Sequence, residues 1–161
     1  MQLSIFHRLL LSTLLSIPAA KAWGVVLENN CGFGTATIVH NGVIIAVAQG
    51  NRTDAVAFIT PTTFPVVIQG FLQTEPCCAN DLTKVYNTSI SSVLEPSVTS
   101  TQIELKGPID NSAPFIQVST VYFIACPTTG SICASPTNCN LAAVSCPGQA
   151  DIGATFCKDT I

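Results

Sequence analysis

From residue 25 onward the chain is a succession of short apolar runs broken by turn residues. Val25 to Glu28, Thr35 to His40, Val43 to Ala48, Ala55 to Thr60, Val66 to Leu72, Thr83 to Tyr86, Gln102 to Lys106, Phe115 to Ala125 and Ile152 to Phe156 are rich in β-branched and aromatic residues. Such runs predict β-strands. No segment keeps an apolar 3.6-residue period over ten residues, and prolines fall between the runs. The pattern predicts a mainly β fold in one domain.

Asn41-Gly42, set between two apolar runs, predicts a hairpin with a type I′ turn, because that turn needs positive φ at both central residues. In the two-residue register Ala36, Ile38 and His40 face Val47, Ile45 and Val43, with His40 at the turn end. Residues 87–101, NTSISSVLEPSVTST, are dense in Ser and Thr around Pro96. They read as a long loop with edge strands, or as an O-glycosylated stretch.

The first residues, MQLSIFHRLLLSTLLSIPAAKA, carry one early cation, Arg8, an apolar core from Leu9 to Ile17, and small residues at Ala20 and Ala22. They read as a secretory signal peptide over 1–22, cut before Trp23, with a core too short to span a bilayer. The domain is then 23–161. No later apolar run is long enough for a membrane span, so a secreted, extracellular protein is expected.

All eight cysteines follow the leader: Cys31, Cys77, Cys78, Cys126, Cys133, Cys139, Cys146 and Cys157. An even number in an oxidising compartment predicts four disulfides. No metal or cofactor is expected, since only His40 and no CxxC pair follow the leader. The sequons Asn51-Arg52-Thr53 and Asn87-Thr88-Ser89 predict glycans on Asn51 and Asn87. The doublet Cys77-Cys78 occurs once, whereas hydrophobins carry two such doublets, so the spacing argues against that class.

Without the leader, four cations (Arg52, Lys84, Lys106, Lys158) stand against nine carboxylates, a net charge of −5. Cations this scattered do not displace the counterions of a phosphate backbone, which argues against a nucleic-acid partner. With 9% charged residues, the surface is drawn largely from Ser, Thr, Asn, Gly and apolar atoms.

The segment CGFGT, 31–35, lacks the third glycine that a dinucleotide loop would need at Thr37, and the residues after it alternate like a strand rather than forming a helix. Its glycines are expected to permit a bend beside a cystine, anchoring a strand and touching no ligand.

GVVLENNCGFGTATIV at 24–39, GFLQTEPCC at 70–78 and the cysteine-rich end closing in DIGATFC at 151–157 resemble the small secreted glycopeptide proteins of fungi, related to thaumatin-like proteins. The resemblance implies a disulfide-stapled thaumatin-like β-sandwich. It also implies that Cys31 pairs with Cys157, the ends of the first and last strands; the other pairings stay open. The larger thaumatin-like proteins have a second disulfide-rich lobe and an acidic cleft of one Arg, one Glu and several Asp. Here Arg52 is the only arginine after the leader, and no Asp-rich stretch follows it, so no residue of that cleft carries over.

Glycoside hydrolysis needs two facing carboxyls, one with a raised pKa. Glu75, Asp81 and Asp110 are the loop acids available, and they read equally as solvated surface. A Ser-His-Asp triad would have to use His40, with no GxSxG elbow in the chain. No catalytic residue is assigned. Glycan binding asks only for exposed aromatic faces and short polar side chains on a rigid sheet. Trp23, Phe33, Phe64, Phe71, Tyr86 and Tyr122 are the aromatic stock, and Tyr86, between Lys84 and Asn87, is the chosen contact. The expectation is a non-enzymatic secreted glycoprotein at the cell wall or host interface, with a cell-wall polysaccharide such as β-glucan as partner. The alternatives are a weak β-1,3-glucanase and a surface-active coat or effector protein.

Overall fold

The computed structural model describes residues 21–50, 53–75, 81–107, 109–111, 113–124, 126–130 and 132–157. Most of the expected leader, Asn51, Cys77 and Cys78 lie outside them. Among the described residues there are thirteen strands and no helix.

The strands are β1 Trp23–Asn29, β2 Thr35–His40, β3 Val43–Val47, β4 Ala55–Ile59, β5 Val66–Gln73, β6 Val85–Leu94, β7 Val98–Leu105, β8 Val118–Phe123, β9 Cys126–Thr129, β10 Cys133–Ser135, β11 Asn138–Cys139, β12 Val144–Pro147 and β13 Ile152–Phe156. One sheet has the order β11, β10, β8, β13, β1, β4, with β9 also on β8; the other has β12, β7, β6, β5, β2, β3. β1 and β13, from the two ends of the chain, pair in parallel; the other pairings are antiparallel.

Apolar alternation sorts each strand's side chains onto two faces. In β4, Ala55, Ala57 and Ile59 are buried while Val56 and Phe58 are exposed. Val25, Leu27, Ile152, Ala154 and Phe156 of the first sheet pack on Ile38, Ile68, Leu72, Ile90 and Ile103 of the second as one core. At Gly70 the packing leaves no room for a side chain. A Cβ there would stand 2.8 Å from both δ-carbons of Leu27 and 2.9 Å from Cγ1 of Ile90.

The interior also holds paired polar groups, as burial requires. Trp23 Nε1 donates to Thr99 Oγ1 at 3.2 Å, and Thr99 Oγ1 donates to Gly148 O at 3.1 Å. Ser92 Oγ donates to Thr101 Oγ1 at 2.8 Å.

Among the described residues there are three disulfides. Cys31 is bonded to Cys157, tying the end of β1 to the end of β13. Cys126 to Cys146 joins β9 of one sheet to β12 of the other, and Cys133 to Cys139 joins β10 to β11. These bonds suit an oxidising, extracellular compartment. No helix among the described residues is long and apolar enough to cross a membrane.

Two expectations need correction. The hairpin at Asn41-Gly42 is present, with φ of 51° and 75°, and His40 faces Val43. A bulge then shifts the register, so that Ile38 faces Ala46 and Thr37 faces Val47, leaving Ile45 without a partner across the ribbon. Such an extra residue bends a strand and frees one side chain from the ladder.

The second correction concerns 87–101, which is no loop. It supplies most of β6 and the start of β7, well inside their sheet. Asn87 is therefore only 1% exposed, and its Nδ2 donates to the carbonyls of Lys106 and Gly107. The nitrogen that would carry a glycan is thus engaged by two main-chain carbonyls.

Candidate functional site

The most developed surface feature starts from one side chain, Asn29, at the end of β1. Its Nδ2 donates to Phe33 O at 3.1 Å and Gly34 O at 3.2 Å, and its Oδ1 accepts from Cys31 N at 3.1 Å. A buried Asn thus folds 30–34 back on the strand end, the local side-chain-to-backbone bonding that favours Asn in turns. Gly32 and Gly34 take φ of 78° and 73°. A Cβ on Gly34 would lie 2.9 Å from Gln73 O and 3.3 Å from the Tyr86 ring, so conformation and space both require glycine.

That loop seats two aromatic rings. Tyr86, on β6, lies against Gly34, and Phe33 leans on it with centroids 5.9 Å apart and planes at 44°. Phe33 is 48% exposed. The pair forms a ledge on a loop pinned by Asn29 and by the Cys31–Cys157 bridge.

Beside the ledge lies a recess of about 180 Å³ lined by Val39, Gln69, Phe71, Leu82, Tyr86 and Lys106, with Ser89 at its base. Lys106 Nζ sits 5.9 Å from the centre of the Phe71 ring, within cation–π range. Ser89 Oγ, Thr88 Oγ1 and Asn87 Oδ1 are buried and have no hydrogen-bond partner among the described residues. Buried polar atoms left unpaired cost stability, and three in succession mark this part of β6 as polar beyond what its fold uses. Burial raises the pKa of Tyr86, keeping it a neutral phenol.

The acids near this region are occupied otherwise. Asp81 accepts from the Thr83 hydroxyl at 2.5 Å and the Thr83 amide at 2.9 Å, which holds its carboxyl below the usual range. Glu75 pairs with Lys84 at 2.6 Å, and that bond raises the lysine. Asp110 accepts from the Ala113 amide. For Asp81 the lowering is the opposite of the raised carboxyl that a glycosidase acid needs. No three His, Cys, Asp or Glu among the described residues gather as metal ligands do.

The structure divides the aromatic stock. Trp23 and Phe71 are buried, and Phe64 stands half-exposed against Trp23 at 5.5 Å. Tyr122 lies flat over Gly153, and its hydroxyl donates to Glu28 Oε1 at 2.8 Å. Tyr86 and the buried Phe71 both line the recess, and Phe33 reaches it through its contact with Tyr86. CGFGT is the anchor expected of it, through Cys31, and its Phe33 is brought against Tyr86 by Asn29, three residues before Gly32.

No family model matches the chain, and searches of curated proteins and of solved structures find no match either.

Proposed function

We propose that this chain is a secreted, non-enzymatic glycan-binding protein of thaumatin-like type that holds a neutral cell-wall polysaccharide, β-glucan first, on the Phe33–Tyr86 ledge. The observation that carries the reading is the exposed Phe33 ring fixed against Tyr86 beside a recess edged by Gln69 and Lys106. A sugar ring offers an apolar face to an aromatic and hydroxyls to flanking donors, and it needs no titrating group. A neutral ligand suits a chain whose carboxylates outnumber its cations.

Co-sedimentation with insoluble β-glucan and with chitin, assaying the supernatant for released sugar, tests the reading. Binding without release, lost in Tyr86→Ala and Phe33→Ala, is the expected result. Release of sugar would replace it with the glucanase reading, and no binding to either polymer would remove it.

A further inference from the structure

We infer that the open side of the sandwich, where β3 and β4 lie beside each other, is a self-association surface occupied by a second copy of this chain. Among the described residues each of these strands ends its sheet, with a partner on one side only. A bare sheet edge is a template for pairing unless it is shortened, charged, broken by proline or covered. At the opposite edges such devices are present. β11 has two residues, and β9 and β12 contain Pro127 and Pro147. β3, Val-Ile-Ile-Ala-Val, and β4, Ala-Val-Ala-Phe-Ile, have no charge and no proline.

This side is also apolar. Phe58 is 78% exposed, and Val43, Ile45, Val56 and Phe64 are between 41% and 64% exposed. Taking about 200 Å² for an aromatic residue and about 160 Å² for a branched aliphatic one, those fractions leave roughly 500 Å² of apolar surface open, near the top of what a monomer tolerates. With its polar rim of Asn41, Thr60, Thr62 and Thr63, the face approaches the scale of about 800 Å² per partner that a stable dimer buries.

The occupant follows from shape and charge. A groove of about 610 Å³ runs along this side, with Phe58 beside Pro61, Pro65 and Val66. A projecting ring next to an apolar hollow is self-complementary under a twofold axis, each Phe58 entering the partner's groove. Among the described residues, His40 is the only titratable one in the lining. Two copies of an acidic chain therefore meet at a groove with no carboxylate in its described lining, and the bulged Ile45 is free to pack across the junction.

Sedimentation velocity on the secreted chain over a hundredfold range of concentration tests this. The wild type is expected to show twice the monomer mass. Phe58→Lys and Val56→Lys, both at exposed positions, are each expected to weaken association by roughly 30-fold or more, the loss typical of a central contact. Ser91→Lys, on the outer face of the other sheet, is expected to leave it unchanged. A wild type that stays monomeric throughout overturns the inference, as does a dimer indifferent to both lysine variants. A monomer that inserts into neutral phosphatidylcholine monolayers through Phe58 also overturns it, assigning the face to an apolar interface instead.

Discussion

Leu27 on one sheet fills the space over Gly70 on the other, both of its δ-carbons lying 2.8 Å from where a Cβ at residue 70 would stand. Gly70→Ala is therefore an overpacking substitution and is expected to cost about 1 to 3 kcal/mol in denaturant unfolding. Leu27→Ala alone creates a cavity and is expected to cost about 2 to 5 kcal/mol. Combined, the two should cost less than their sum, since each relieves what the other creates. Strict additivity in the cycle would show that the two side chains do not share this space.

The Cys31–Cys157 bridge closes a loop across a sequence separation of 126. In the chain-entropy account a loop of that order contributes about 4 to 5 kcal/mol by restricting the unfolded chain, a large part of a small domain's stability. Cys31→Ser is expected to remove that much and to release a reactive thiol at Cys157. Thiol labelling after folding, read beside the unfolding midpoint, measures both. An unchanged midpoint would contradict it.

Tyr86 and Tyr122 are the two tyrosines of the chain, and both hold their protons more tightly in the fold. Burial is the leading cause for each. For Tyr122, the bond to Glu28 and that carboxylate's charge push it further, to about 12. The folded pKa is raised, so the unfolded chain loses its protons first, near pH 10. This contribution to stability is complete below about pH 10 and disappears as the pH rises toward the folded value. The ultraviolet phenolate titration of the native protein should lie alkaline of the unfolded one, with the later component missing in Tyr122→Phe. Coincident curves would refute this.

Asn87 offers a direct test of the burial of β6. Glycopeptide mapping of the protein expressed through a eukaryotic secretory pathway is expected to find Asn87 unmodified, because both hydrogens of its Nδ2 are engaged by main-chain carbonyls. A fully occupied glycan there would mean that β6 is not placed as described.

Much of the strand pattern was legible because it is local. Thr35–His40 and Ile152–Phe156 were recognisable to the residue, and Asn41-Gly42 carries its turn geometry in its own side chains. The start of β6 at 85–86 and the end of β7 at 102–105 were legible. The stretch between was hidden because its polar residues find partners that no local window contains: Ser92 meets Thr101, and Thr99 meets the Trp23 indole. The bulge at Ile45 depends on tertiary packing, which can override the simplest hairpin register. Tyr86 could be chosen from its flanks. Phe33 could not, because the contact between the rings depends on Asn29 closing the loop.

The parallel pairing of β1 with β13 also bears on the order of assembly. β2, β3, β5, β6 and β7 form a meander of mostly close neighbours, whereas β1 meets β13 only across more than 120 residues of chain. A polypeptide emerging N-terminus first can close the meander early but must carry β1 with one edge unsatisfied until residues 152–156 arrive. Such long-range pairing slows folding and leaves partly folded chains prone to sticking. Truncations near the C-terminus should therefore damage the N-terminal sheet first, the part of the protein furthest from the cut in sequence and nearest to it in space.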